Sequence, residues 1–143
     1  MKNKIILSSL LIVAIIITGC KKYEDGPAFS LLSKQQRLIG EWEVTEFKIN
    51  GIDAIGYIYV DLEMTFYADG DCEFDYWLSS DFGGSFTRQK GEWEFSGDKE
   101  EVEIDWDDYS MADDEIEITR LTRDEFQGEF NAGSDKITFE AEK

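Results

Sequence analysis

The side chains of this chain that could do chemistry are mostly carboxylates. There are 32 Asp and Glu residues against 14 Lys and Arg, and there is no histidine. Paired carboxylates can hydrolyse glycosides, but at this density suitable pairs arise by chance and no single pair stands out. The serines and Cys72 have no histidine to activate them as nucleophiles, although a lysine could substitute. We therefore expect a protein that is not an enzyme.

The densest acidic cluster is the strongest candidate for a metal site. Its members are Asp105, Asp107, Asp108, Asp113, Asp114 and Glu115. Calcium prefers such hard oxygen ligands and takes about six to eight of them. The ligand spacing of an EF-hand loop is absent, however, and Asp69-Gly70-Asp71 is more typical of a hairpin turn. We interpret the cluster as a solvated loop, leave calcium binding as the open alternative, and assign neither a metal site nor a cofactor.

Cys20 is the one residue for which the sequence predicts a covalent modification. Lys2 and Lys4 precede an almost uninterrupted apolar stretch, Ile5–Ile17, which is shorter than the roughly 20 residues of a membrane span and typical of a secretory signal. The segment Ile17-Thr18-Gly19-Cys20 then resembles the lipobox of bacterial lipoproteins. That resemblance implies cleavage after Gly19 and acylation of Cys20, which would anchor the protein to a membrane. The alternative is an ordinary signal peptide with an incidental cysteine.

Composition limits the partners of the mature chain. Removal of residues 1–19 would leave 124 residues, enough for one domain with a modest core. Because Lys2 and Lys4 would be lost, 12 basic side chains would face 32 acidic ones, a net charge of about −20. This charge argues against nucleic acid as a partner and favours a soluble monomer. Cys72 would be the only thiol not acylated, and its apolar neighbours indicate a buried residue rather than a reactive one.

Three regions follow from the pattern of the chain. Residues 1–19 are the signal peptide, and residues 20–33 are the lipidated N-terminus and a flexible tether. Acidic residues soon after Cys20 resemble the export signal of lipoproteins of Bacteroidetes, and a solvated linker is the alternative interpretation. This predicts a cell-envelope protein anchored in the outer membrane, facing either the periplasm or the cell surface. Residues 34–143 are the folded domain, and residues 31–39 are predicted to form a short helix with Ser33 as N-cap.

Strict apolar and polar alternation dominates the folded domain, and it is typical of antiparallel strands with one buried face. Short turns such as Asn50-Gly51 and Asp69-Gly70 separate the alternating runs. The predicted strands span residues 41–49, 56–67, 71–79, 85–95, 100–106, 114–121, 124–131 and 136–142. The apolar phase slips within the first strand, which predicts a bulge near Thr45-Glu46. Eight strands joined in this way predict an up-and-down meander barrel, with an open two-sheet sandwich as the alternative.

A short helix followed by Gly40-Glu41-Trp42 on the first of eight strands resembles the Gly-x-Trp pattern of lipocalins. Together with the lipobox, the acidic tether and the hairpin at Thr65–Gly70, the chain resembles lipocalin-like lipoproteins of Bacteroidetes. The resemblance implies an all-β, eight-stranded lipocalin-like barrel with a short N-terminal helix, in which Trp42 is a core residue that closes the base. It also implies a small apolar or amphiphilic ligand, for which no binding residue is assigned.

Aromatic residues on the apolar face decide whether such a ligand has room. They are Phe66, Phe74, Tyr76, Trp93, Phe95, Trp106, Phe126, Phe130 and Phe139. They could line a pocket, but side chains alone can fill an eight-stranded barrel, and their number favours a filled core slightly. In that case loops would bind an envelope protein or a glycan. The contacts would be exposed aromatics: Tyr57, Tyr59, Trp77, Phe82 and Tyr109.

Overall fold

The computed structural model describes residues 31–97, 100–108 and 114–143. The predicted signal peptide, Cys20 and most of the tether lie outside these residues, as do Tyr109 and Asp113. One helix, α1 (Lys34–Leu38), precedes the strands. The strands are β1 (Gly40–Ile49), β2 (Ile52–Asp53), β3 (Tyr59–Phe66), β4 (Asp71–Leu78), β5 (Phe86–Phe95), β6 (Glu101–Trp106), β7 (Asp114–Leu121), β8 (Glu125–Ala132) and β9 (Asp135–Glu142).

Eight of these strands form a closed antiparallel barrel. Each neighbour in the order β1-β3-β4-β5-β6-β7-β8-β9 is hydrogen-bonded to the next, and β9 pairs back onto β1. This closure confirms the predicted barrel and excludes the open sandwich. The short strand β2, which was not predicted, pairs only with the end of β1. It forms because Asn50 and Gly51 both adopt positive φ, as a tight hairpin turn requires.

Ser33 is the N-cap of the helix, as the sequence predicts. Ser33 accepts a hydrogen bond from Gln36 N at 3.1 Å, and the Gln36 side chain accepts one from Ser33 N at 3.0 Å. This reciprocal capping box satisfies backbone donors that a helix start leaves without partners. The helix is shorter than predicted, because it begins after Ser33 and ends at Leu38.

Three bulges set which residues face the interior, and one of them lies between Ile118 and Arg120 of β7. The predicted bulge in β1 is confirmed, since the register against β9 shifts between Val44 and Glu46. A second shift, between Tyr59 and Asp61 of β3, was not predicted. It reverses the expected phase at the start of β3, so that Val60 is 62% exposed while Tyr59 packs against the core.

Apolar side chains seal the end of the barrel next to α1, which we call the closed end. Leu38, Trp42, Leu121 and Phe126 are fully buried. Trp42 Nε1 donates a hydrogen bond to Leu38 O at 2.7 Å, and the rings of Trp42 and Phe126 have centroids 5.6 Å apart. The prediction that Trp42 is a core residue at the barrel base is therefore confirmed.

Two basic side chains bind the helix to this end. Lys143 Nζ lies 4.4 Å from the centre of the Trp42 ring and donates hydrogen bonds to the carbonyls of Arg37 and Ile39, both at 2.7 Å. Arg37 Nη1 in turn donates to Leu121 O at 2.9 Å. The two bonds from Lys143 satisfy carbonyls at the C-terminal end of α1. No helix among the described residues is both long enough and apolar enough to span a bilayer.

Candidate ligand-binding site

A cavity of about 460 Å³ occupies the barrel interior away from α1. Its lining includes Ile49 and Tyr76 near the ends of β1 and β4, and Tyr59, Asp114 and Asp135 at the starts of β3, β7 and β9. Because neighbouring strands are antiparallel, these strand ends meet at the end opposite the helix, which we call the open end. The volume lies within the range of about 300–1,000 Å³ that small-molecule sites occupy.

The prediction of a filled core, which the number of aromatic residues slightly favoured, is therefore wrong. All nine aromatics predicted to face inward are buried or pack against the core. The prediction of which residues face inward is therefore confirmed, and only the prediction that they fill the barrel is wrong. The largest fully buried side chains, Trp42 and Phe126, lie at the closed end. Near the open end the lining includes small residues such as Ala132 and Gly133, and these leave room for the cavity.

Aromatic rings form one wall of the cavity. The centroids of Phe47 and Tyr59 are 5.5 Å apart, and those of Tyr59 and Tyr76 are 5.8 Å apart, both in edge-to-face geometry. Phe74 lies 5.6 Å from Tyr76 in a tilted arrangement. Such offset contacts fix the ring orientations, so the wall is preformed rather than assembled by a ligand.

The same wall carries two hydroxyl groups. Burial raises the pKa of Tyr59 above its ordinary value, and the nearby Tyr76 adds a smaller effect in the same direction. The hydroxyl of Tyr59 therefore stays protonated at neutral pH. No hydrogen-bond partner for either tyrosine hydroxyl is found among the described residues. Both are therefore available to donate to, or accept from, a polar group of a ligand.

Two carboxylates lie at the open end of the cavity. Asp114 Oδ2 accepts a hydrogen bond from Trp106 Nε1 at 2.9 Å, and Asp135 Oδ1 accepts one from Asn50 Nδ2 at 2.8 Å. Asp114 shares the inward phase of the buried Ile116, and Asp135 that of the buried Ile137. Each carboxylate thus accepts a hydrogen bond from an uncharged donor at the edge of the cavity.

Cys72 lies deeper in the lining and is almost fully buried. Burial and the neighbouring carboxylates of Asp71 and Asp107 raise the pKa of its thiol to about 12. The thiolate, which is the nucleophilic form, is therefore scarce at neutral pH. This agrees with the prediction that Cys72 is a packing residue.

The predicted surface aromatics separate into two groups. Tyr57, Trp77 and Phe82 are exposed, at 67%, 50% and 49%. Tyr59 is not a surface residue, because the bulge in β3 turns its ring into the cavity. The sequence offered no indication of this bulge, since the alternation of Ile58, Val60 and Leu62 continues through it.

The acidic cluster predicted as a solvated loop lies at the junction of β6 and β7, and its member Asp113 is outside the described residues. Within the described ranges, no three Asp, Glu, Cys or His side chains are arranged to hold a metal ion. A smaller depression of about 180 Å³ on the outer surface is lined by four glutamates and Lys136. Lys136 Nζ lies 2.8 Å from Glu129 Oε1.

Neither a protein-family model nor a curated protein sequence matches the chain. Solved structures do match it in fold. An odorant-binding protein superposes with a TM-score of 0.51 at 10% identity, covering 78% of this chain and 74% of that one. Bovine odorant-binding protein in complex with a selenium-containing odorant gives 0.50 at 15% identity, covering 80% and 75%.

A redesigned β-barrel superposes with a TM-score of 0.53 at 15% identity, covering 80% of this chain and 98% of that one. At such low identities, the similarity establishes the fold alone. The part of the chain that the structure describes forms a closed, eight-stranded, lipocalin-like β-barrel with one short α-helix, and a cavity opens at the end opposite that helix.

Proposed function

We propose that this protein is a non-enzymatic binding protein that holds a small apolar or amphiphilic molecule in the barrel cavity. The observation that carries the proposal is the cavity of about 460 Å³, which has an aromatic wall and a few polar groups at one end. Ligand sites commonly combine an apolar lining with a small number of orienting polar groups. The bovine odorant-binding protein of similar fold was solved in complex with an odorant, which supports a ligand inside the barrel.

Binding of a fluorescent apolar probe tests this proposal. N-phenyl-1-naphthylamine is weakly fluorescent in water and brightens in an apolar site. We expect saturable brightening with one site per chain, reversal by decanol, and a rise in melting temperature with decanol concentration by mass action. Brightening that does not saturate, or that decanol fails to reverse, would contradict a binding site inside the barrel.

We also propose that the protein is a lipoprotein of the bacterial outer membrane, held by acyl chains on Cys20. The support is the sequence around Cys20, with its short apolar stretch and small residues before the thiol. Growth of expressing cells with an alkyne-tagged palmitate should label the protein, and Cys20→Ala should abolish the label. The matched control Cys72→Ala should retain it. Labelling that survives Cys20→Ala would overturn the anchor, and fractionation of the two membranes would test the location.

One surface feature favours a second function, which is an interaction with an envelope protein or a glycan. Four exposed aromatic residues form two contacting pairs: Tyr57 with Phe82, and Trp77 with Phe86. The Trp77 and Phe86 rings are 4.9 Å apart, and those of Tyr57 and Phe82 are 5.6 Å apart. Exposed apolar surface of this kind is typical of interaction sites. On this alternative, Trp77→Ala abolishes partner binding and leaves probe binding unchanged.

A further inference from the structure

We propose that the cavity selects ligands that carry a carbonyl oxygen on an apolar body, and that the hydroxyls of Tyr59 and Tyr76 donate hydrogen bonds to that oxygen. The apolar body lies further into the barrel, against side chains such as Met64 and Phe139. This inference rests on the proposed binding function and names the polar group of its ligand.

The first observation is that the two tyrosines are neighbours in the cavity wall. Tyr59 lies at the start of β3, and Tyr76 lies on β4, which pairs with β3. Their ring centroids are 5.8 Å apart in edge-to-face geometry. Phe47 packs on the ring of Tyr59, and Phe74 packs on that of Tyr76. These contacts fix both rings, so the hydroxyls are in place before a ligand binds.

The second observation is that both hydroxyls are without a hydrogen-bond partner among the described residues. They are not enclosed by protein either. Among the described side chains that are not exposed, Arg37 Nε alone is both enclosed and unpartnered. Each tyrosine hydroxyl therefore faces accessible space, and both residues line the cavity. A ligand without a polar atom would displace water from these hydroxyls and return no hydrogen bond, which disfavours such a ligand.

The third observation is that the charged groups in the lining already have partners. Glu73 forms ion pairs with Lys90 and Arg88, at 2.6 and 3.6 Å. Asp114 and Asp135 each accept a hydrogen bond from a neighbouring side chain. A ligand can bind to the two tyrosine hydroxyls without breaking any of these interactions. The tyrosines are therefore the groups that select its polar end.

The chemistry of a phenol hydroxyl favours a carbonyl as that polar group. Each hydroxyl has one hydrogen to donate, and burial raises the pKa of Tyr59, so this hydrogen is retained at neutral pH. A carbonyl oxygen has two lone pairs and carries no hydrogen. One carbonyl oxygen therefore offers an acceptor site to each of the two hydroxyls and leaves no donor of its own unsatisfied.

A matched pair of compounds tests the selection. 2-Octanone carries a carbonyl, and 2-methyl-1-octene has a CH₂ group in place of the oxygen on the same skeleton. Each is used to displace N-phenyl-1-naphthylamine from the full chain, and the affinity of the probe itself is measured for every variant. Tyr59→Phe and Tyr76→Phe keep the rings of the wall. Each should weaken 2-octanone binding about fivefold without weakening the binding of 2-methyl-1-octene.

A control variant and a spectroscopic readout locate the effect. Tyr67→Phe removes a hydroxyl from a side chain that is 42% exposed and is not among the cavity-lining residues, so neither affinity should change. Circular dichroism verifies the fold of each variant. Hydrogen bonding lowers the stretching frequency of a carbonyl. Infrared spectra of bound 2-octanone, labelled with ¹³C at the carbonyl, should therefore show a band below its position in hexane, and replacing both Tyr59 and Tyr76 by Phe should raise it.

The outcomes separate this inference from the proposed function. If both compounds displace the probe but the double variant leaves the ratio of their affinities unchanged, the carbonyl selection is overturned and the binding function stands. A carbonyl band of the bound ketone that lies at its position in hexane would overturn the selection as well. If neither compound displaces the probe, the binding function fails and this inference fails with it.

Discussion

A matched pair of valine substitutions should separate the part of the barrel that contains the cavity from the part that is filled. Val44 is buried in β1 and lines the cavity. Val102 is buried in β6 and is fully enclosed, with Phe95 and Ile116 as its cross-strand neighbours. We expect Val44→Phe to be tolerated and Val102→Phe to be strongly destabilising, although the chemical change is the same.

The magnitudes follow from the space next to each side chain. Phe has four more carbon atoms than Val, and burial contributes at most about 0.8 kcal/mol for each CH₂. At Val44 these atoms can enter the cavity, and partial burial should offset the strain of the larger ring. The free energy of unfolding should then stay within about 1 kcal/mol of the wild type. At Val102 the added atoms displace packed neighbours, which typically costs about 1–3 kcal/mol.

Urea unfolding followed by circular dichroism measures this difference, and probe binding measures occupation of the cavity. Val44→Phe should lower decanol affinity several-fold, because the new ring fills part of the site. The melting temperatures of the two variants should differ by at least about 5 °C. Equal destabilisation by both substitutions would refute the conclusion that the barrel is empty next to Val44.

Three further predictions concern the wall of the barrel. Gly91→Ala should destabilise the protein by about 2–4 kcal/mol in urea unfolding, because its Cβ would lie 2.4 Å from Asp105 O. Gly97→Ala, which has open space, should change little, and equal effects would disprove this contact. Burial and nearby carboxylates raise the pKa of Glu63 above its ordinary 4.5. Glu63→Gln should therefore stabilise the protein by about 0.3 kcal/mol at pH 7. As the pH falls through that raised pKa, wild-type Glu63 takes up a proton in the folded state. The stabilisation by Glu63→Gln should therefore shrink. A stabilisation that does not depend on pH would contradict the reasoning. The Cys72 thiol has a pKa of about 12 and should resist iodoacetamide at pH 8 until urea unfolds the protein, whereas prompt labelling would show that it is accessible.

The sequence predicted most of the fold because the signal for each strand is local. In β6, for example, Val102, Ile104 and Trp106 alternate with acidic residues, and their burial follows that alternation. The prediction failed at the start of β3, where a bulge turns Tyr59 inward and Val60 outward. A bulge depends on the register against the neighbouring strand, which alternation within one strand does not specify.

The cavity could not be predicted for a different physical reason. Its volume depends on how about twenty side chains from eight strands meet, and composition does not specify that packing. The two carboxylates at its open end could have been found. Asp114 shares the phase of Ile116, and Asp135 shares the phase of Ile137. An acidic residue on an apolar phase is visible at both positions, but the neighbouring carboxylates of Asp114 point instead to a solvated loop or a calcium site.

The most direct test of the central claim is a crystal structure of the protein grown with a bromine-labelled long-chain alcohol, with the bromine located by its anomalous scattering. If the barrel holds a small apolar or amphiphilic ligand, we expect one bromine peak within the cavity, in contact with lining residues such as Met64, Phe74 and Phe139. A cavity that contains only ordered water, with bromine confined to the outer surface, would contradict that function.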